Sequence, residues 1–78
     1  MRLDPGAVLV LFTDGIVDRR GPGEEFFGEE RLKRVVQESH GAPSARVLDR
    51  ILEAAFAHGG DRPWEDDVTV MVIRRPEE

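Results

Sequence analysis

Two short apolar runs, one near each end of the chain, predict two β-strands. Val8–Phe12 is an unbroken run of five apolar residues that follows an Asp-Pro-Gly turn signal, and residues 68–73 are nearly as apolar. Short runs rich in β-branched residues are typical of strands that are buried on both faces. We therefore predict one strand over Val8–Phe12 and a second strand from about residue 67 to residue 74.

Between these strands, apolar residues recur at helical spacing in two segments. Leu32, Val35 and Val36 form a one-sided stripe within residues 29–39, and a longer stripe of the same kind runs through residues 44–57. Stripes of this kind predict amphipathic helices whose apolar side faces a core. Each segment is followed by glycine, which is a common signal for the end of a helix.

The order strand, helix, helix, strand predicts an α+β fold with an antiparallel sheet. Two helices shield only one face of a two-stranded sheet, whereas both strands are apolar on both faces. A two-stranded sheet is also marginally stable alone. We therefore expect more sheet and a second layer, supplied by another segment of a longer protein or by another copy, and we expect the isolated chain to self-associate.

Composition narrows the class of protein. The 78 residues suffice for one small domain, and the lack of cysteine excludes disulfide and zinc-thiolate frameworks. The formal net charge of −5 argues against a nucleic-acid partner. No apolar run approaches the roughly 20 residues of a membrane span, and the first residues lack a signal-peptide core. We expect a cytoplasmic protein that binds neither nucleic acid nor membrane.

Acidic residues stand where the two predicted strands would meet. Asp14 and Gly15 follow the first strand, and Asp66 and Asp67 precede the second. In an antiparallel pair the end of one strand lies beside the start of the other, so these acids should share one rim of the sheet. Carboxylate oxygens suit Mg²⁺ or Mn²⁺, and glycine lets the backbone come close to whatever Asp14 holds.

Each acidic motif also has a plainer interpretation. An Asp-Gly pair after a strand is often only a turn, and Asp66 and Asp67 are compatible with solvated loop charge. Clustered carboxylates are costly without a cation, because like charges repel, and this favours a metal site where the motifs meet. Thr69 suits a strand and is also placed to hydrogen-bond a neighbouring carboxylate. On these residues alone, both interpretations stay open.

The other polar candidates have mainly structural interpretations. Asp18 lies a few residues past the Asp-Gly turn and suits a loop or a cap, and Glu65 suits solvent. His40 and His58 fall near helix C-termini, where the dipole favours a cation. Trp64 suits the edge of a core. The sequence contains no Gly-rich phosphate loop and no set of nucleophile, histidine and acid.

Four motifs in this order resemble the C-terminal part of a bacterial SpoIIE/RsbU-type PPM (PP2C-like) serine phosphatase domain. They are Leu-Asp-Pro-Gly at 3–6, Phe-Thr-Asp-Gly at 12–15, Phe-Gly-Glu-Glu-Arg-Leu at 27–32 and Asp-Asp-Val-Thr-Val at 66–70. The resemblance covers nearly the whole chain. It implies an α-β-β-α sandwich, of which residues 1–78 would be a partial, C-terminal portion ending in a frayed tail at 76–78.

The resemblance also implies an activity and a site. The family removes phosphate from phosphoserine or phosphothreonine in proteins, typically a STAS-domain anti-sigma factor antagonist, and uses two Mn²⁺ or Mg²⁺ ions. It places Asp14 and Asp66 as metal ligands, with Gly15, Asp67 and Thr69 in supporting positions. A water between the two metals would be the nucleophile, so no covalent phosphoenzyme is expected.

The chain departs from the family pattern in what it lacks. The upstream half of such a domain supplies another Asp-Gly motif, whose aspartate bridges the metals, and an earlier acidic motif. The only Asp-Gly here is Asp14-Gly15. We therefore expect a phosphatase parent domain and an inactive 78-residue chain. The alternatives are a non-catalytic protein-interaction module that keeps the scaffold, and a carboxylate-lined structural cation site without turnover.

Overall fold

The structure is a computed structural model that describes residues 4–64 and 67–76. Its elements are β1 (Val8–Phe12), α1 (Asp14–Val17), α2 (Gly28–Glu38), α3 (Ser44–Gly59) and β2 (Val70–Arg74). The α+β class and the order of strand, two long helices and strand are confirmed. The single-turn helix α1 was not predicted, and the tail residues 77–78 lie outside the described residues.

A tight turn delivers the chain into β1, as the Asp-Pro-Gly signal predicts. The Ala7 amide donates to the Asp4 carbonyl at 2.9 Å, and Gly6 has a φ of +83°. A positive φ at this position is the geometry of a type II turn, which favours glycine. The Gly6 amide also donates to the Arg75 carbonyl at 2.8 Å, so the turn is joined to the end of β2.

The two strands pair antiparallel, with Val8 opposite Arg74 and Phe12 opposite Val70. Because side chains alternate along a strand, this register divides them between two faces. One face packs against the helices through Val10, Val70 and Val72. The predicted antiparallel sheet is therefore confirmed, and its register sends Asp14 and Asp67 to the same rim.

The second strand begins at Val70, and the predicted start at residue 67 is wrong. The cause lies in the opposite strand, where the chain leaves the ladder after Phe12 and turns into α1. The Thr13 amide still donates to the Thr69 carbonyl at 3.0 Å, but the Thr69 amide donates to the Thr13 hydroxyl at 3.0 Å. A side chain thus replaces the backbone partner that a longer strand would need.

The core lies between the helices and one sheet face. Its buried side chains come from all three helices and from the loop before α2: Ile16, Val17, Phe27, Leu32, Val47, Ile51 and Ala55. The positions on α2 and α3 follow the stripes in the sequence, because a helix brings every third or fourth residue to one side. α2 ends within one residue of its predicted boundary, and α3 runs two residues further than predicted.

The other sheet face is open to solvent in this chain. Leu11 and Met71, which are paired across the sheet, are 50% and 53% exposed, and Ile73 is 39% exposed. The strand pattern predicts burial on both faces, but the helices of this chain cover only one.

Within the described residues, no helix has the length and apolarity needed to cross a bilayer.

Candidate functional site

The candidate site begins where β1 passes into α1. Thr13 is extended, with φ −97° and ψ 164°, and Asp14 is the first residue of the helix. The Asp18 amide donates to the Asp14 carbonyl at 2.8 Å, which closes the single helical turn and makes Asp18 its C-terminal cap. The Asp14 side chain is exposed at the rim, so its carboxylate is available to a ligand.

The opposite side of the rim is held against this turn by backbone contacts. The Thr13 hydroxyl donates to the Asp67 carbonyl at 3.3 Å while accepting from the Thr69 amide. Gly15 packs so closely on the Asp67 backbone that a Cβ there would clash with the Asp67 carbonyl oxygen. Glycine is needed at 15 for this close approach, and not for an unusual φ.

The structure therefore brings Asp14 and Asp67 to one rim, as the strand pairing predicts. The side chain of Asp67 is exposed, as is Thr69. Asp66 and Glu65 lie outside the described residues, so the predicted role of Asp66 as a ligand stays a prediction. The same holds for a hydrogen bond from the Thr69 side chain to a carboxylate.

The donor chemistry of this rim fits a hard divalent cation, but the described residues do not form a complete site. Carboxylate oxygens are the ligands that Mg²⁺ and Mn²⁺ prefer. Among residues 4–64 and 67–76, however, no group of three or more His, Cys, Asp or Glu side chains is arranged to hold a metal ion. A metal at this rim would need further ligands beyond Asp14 and Asp67.

Arg19 is a buried cation that the sequence pattern does not predict. An Arg-Arg pair before a Gly-Pro-Gly loop is typical of solvent-exposed charge, yet Arg19 is only 5% exposed. Its Nε donates to the Ala55 carbonyl at 2.8 Å, and its Nη2 donates to the Arg62 carbonyl at 3.0 Å. Nothing in the local pattern distinguishes it from the adjacent Arg20, which is only partly buried.

Trp64 lies at the edge of the core as its position predicts, whereas capping of the helix ends by the two histidines stays a prediction. His58, in the last turn of α3, approaches the Glu25 carbonyl through Nε2 at 2.9 Å and meets the Phe27 ring edge-on. His40 is exposed after the end of α2. Trp64 packs edge-on against Phe56, with ring centroids 5.1 Å apart, and so covers one edge of the core.

An ion-pair cluster of Glu24, Arg20 and Arg62 stabilises the loop between α1 and α2. Glu24, at a positive φ of 67°, accepts from Arg62 at 2.5 Å and from Arg20 at 3.1 Å. The hydrogen bond from Arg62, reinforced by Arg20, lowers the pKa of the Glu24 carboxyl below its usual 4.5. The cluster joins the loop at 20–26 to the segment that follows α3.

This cluster predicts a local pH dependence. A carboxyl whose pKa is lowered by folding stabilises the fold above its unfolded pKa, and the contribution is lost as the pH falls through the folded pKa. In an NMR titration we expect the pKa of Glu24 to rise towards 4.5 in Arg62→Met. Arg46→Met, an exposed position on α3, is the control and should leave it unchanged. An equal pKa in wild type and Arg62→Met would contradict this assignment.

Taken together, the fold and the rim define a class: an α+β unit whose two strand ends bring aspartates to one exposed edge of a half-covered antiparallel sheet. The sequence model of the family Stage II sporulation protein E (SpoIIE) matches residues 1–76. The chain therefore belongs to the SpoIIE family and matches a portion of a SpoIIE-type PPM domain. The resemblance drawn from the four motifs is confirmed.

The curated relative that matches is consistent with this family. Protein IcfG of Synechocystis sp. (strain ATCC 27184 / PCC 6803 / Kazusa) is 33% identical over 75 residues, which is 96% of this chain. The chain spans only 12% of the length of that relative. No solved structure matches the chain at a significant level.

Proposed function

We propose that this chain is part of a metal-dependent protein serine/threonine phosphatase, in which residues 1–78 form a C-terminal portion of the domain. The observation that carries the proposal is the rim itself, where Thr13 and Gly15 hold the Asp14 turn against the backbone of Asp67. Membership of the SpoIIE family supports a PP2C-like phosphatase parent. That family generally uses Mn²⁺ or Mg²⁺.

Within this proposal the residues of the chain have separate tasks. Asp14 and Asp66 would hold the metal, and the remaining ligands would come from outside this chain. Gly15 would let the two sides of the rim approach, while Asp67 and Thr69 would support them through their backbone contacts with Thr13. When bound, Mn²⁺ or Mg²⁺ supplies charge neutralisation for a phosphate and a bound water of lowered pKa.

The substrate that follows from this chemistry is a phosphoserine or phosphothreonine protein. We propose a STAS-type anti-sigma factor antagonist as that substrate, in the cytoplasm, on the strength of the family alone.

One observation favours a second candidate, a non-catalytic interaction module that keeps the scaffold. In the part of the chain that the structure describes, no three acidic or histidine side chains converge to hold a metal. A chain that kept the fold but lost the remaining ligands would have this appearance. The two candidates differ in whether metal-dependent turnover appears when more of the gene product is present.

The test compares the 78-residue chain with the longest product of its gene. Both are assayed with Mn²⁺ on p-nitrophenyl phosphate and on a phosphoserine peptide. We expect little turnover by the 78-residue chain and clear turnover by the longer product. Asp14→Asn and Asp66→Asn should each reduce turnover by more than the roughly 10–100-fold that loss of an outer-shell partner of a metal ligand costs. Asp18→Asn, an exposed cap four residues from Asp14, is the matched control.

Calorimetry with Mn²⁺ on the 78-residue chain provides an independent readout. We expect weak binding that the Asp14→Asn, Asp66→Asn double variant abolishes. An unchanged titration in that variant would remove this rim from consideration as the metal site. Turnover by the 78-residue chain that Asp14→Asn abolishes would show that self-association completes the site, and a longer product without turnover would favour the interaction module.

A further inference from the structure

Arg19 joins three separate parts of the chain. It follows α1, its Nε donates to the Ala55 carbonyl of α3, and its Nη2 donates to the carbonyl of Arg62 in the loop beyond α3. Its guanidinium carbon lies 3.9 Å from the centroid of the Trp64 ring. Cation–π contacts are strongest when the cation is removed from water, and this guanidinium is almost fully buried.

The end of α3 has room for this guanidinium only because residue 59 is glycine. Gly59, the last residue of α3, packs so closely that a Cβ there would collide with the Arg19 guanidinium. The Ala55 carbonyl lies in the last turn of α3, where the helix dipole favours a cation. Lysine cannot reproduce this arrangement. Two different nitrogens of the planar guanidinium donate hydrogen bonds to two different segments, and the lysine side chain has only one nitrogen.

The contacts of Arg19 and the contacts of the Asp14 turn reach two nearby points of the chain, Trp64 and Asp67. Trp64 is the last described residue before the motif, and Asp67 is the first described residue after Trp64. Arg19 holds Trp64, while Thr13 and Gly15 hold the backbone of Asp67. Both anchors therefore belong to the seven residues 13–19, which also carry Asp14.

We propose that Arg19 is a positioning residue for the metal-binding rim, because it joins α3 and Trp64 to the segment that carries Asp14, whose turn holds the backbone of Asp67. The claim that this positioning serves metal binding rests on the proposed function. Arg19 touches neither substrate nor metal in this proposal. Its effect passes from α3 through the Asp14 turn, which ends just before Arg19, to the rim.

The first test needs no metal and follows amide hydrogen exchange by NMR in the full 78-residue chain. The Thr69 amide, which donates to the Thr13 hydroxyl, reports the rim directly. The measured quantity is the ratio of the Thr69 amide exchange rate to the mean exchange rate of the β1–β2 ladder amides. In Arg19→Met we expect this ratio to rise about tenfold, whereas a general loss of stability would raise both rates together and leave the ratio unchanged.

The control is Arg20→Met, which alters the adjacent arginine and should leave the ratio within about twofold of the wild-type value.

Two further variants separate geometry from charge and folding. Arg19→Lys keeps the charge but loses the fork, and we expect it to behave like Arg19→Met at Thr69. Gly59→Ala keeps Arg19 and displaces its guanidinium, so it should have the same effect. Trp64 is the only tryptophan, and its emission should shift to longer wavelength in all three variants as the guanidinium leaves the ring.

The result that would overturn the proposal is a shift of Trp64 emission with an unchanged Thr69 exchange ratio, since Arg19 would then act only as a cap on α3. Full retention of that ratio in Arg19→Lys would overturn it too. A Mn²⁺ titration forms the second arm, where Arg19→Met should weaken binding about tenfold, as loss of a supporting residue does. If wild type shows no Mn²⁺ binding, the proposed metal role fails, while hydrogen exchange still decides the positioning role.

Discussion

Replacing Ile51 with alanine is expected to remove most of the free energy of unfolding of the 78-residue chain at 25 °C. Ile51 lies on α3 and is fully buried in the core. Cutting a buried isoleucine to alanine costs roughly 2–5 kcal/mol, because transfer energy is lost and a cavity remains. Stability of about 0.05 kcal/mol per residue at the low end corresponds to roughly 4 kcal/mol for a chain of this length.

Circular dichroism during urea unfolding measures this effect. Ile51→Val is the graded control, and its expected loss is about 1 kcal/mol because only one methyl group is removed. Ile51→Ala with a free energy of unfolding close to that of wild type would mean that this core can collapse around the cavity. A chain that is already unfolded in wild type would instead show that the second layer is needed for folding.

Charging the open sheet face is expected to convert the chain from dimers to monomers. Leu9, Leu11, Met71 and Ile73 project from the face that the helices leave uncovered. A contiguous apolar patch of several hundred Å², at roughly 25 cal/mol per Å², corresponds to several kcal/mol of burial, comparable to the stability of the whole domain. A symmetric dimer is the simplest assembly that covers such a face.

The variant Leu11→Lys, Met71→Glu tests this face without breaking the sheet. The two residues are directly opposite in the register, so the new charges attract each other across the strands. Phe26→Lys changes a residue that is as exposed as Leu11 but lies in the 20–26 loop, so it is the matched control.

Light scattering over a dilution series, with circular dichroism in parallel, gives the readout. We expect dimers for wild type and Phe26→Lys, and folded monomers for the double variant. A longer gene product that supplies the second layer should be monomeric without substitution. A folded, cooperative wild-type monomer at micromolar concentration would contradict the prediction, and it would weaken the view that a second layer covers this face.

From the sequence, the site could be located only through the predicted pairing of the two strands. An Asp-Gly after one strand and an Asp-Asp before another predict a shared rim, and the structure brings Asp14 and Asp67 there. What the pattern could not give is the means by which the two sides are held. The hydrogen bonds of Thr13 reach residues 54 and 56 positions away, and no local pattern records such a contact.

The sequence by itself determined the bounds of β1 and the two long helices, because an unbroken apolar run and a 3.6-residue periodicity each lie within one segment. The order of these elements then predicted the α+β class and the antiparallel pairing. Only the tertiary structure decided that α1 forms, that β2 begins at Val70 and that Arg19 is buried. Arg19 shows the physical reason most clearly, since its hydrogen bonds to Ala55 and Arg62 span 36 and 43 positions. A buried arginine is favourable only when the fold supplies carbonyls and a ring to replace water, and those groups meet only when the segment after α1 packs against the end of α3 and the loop beyond it.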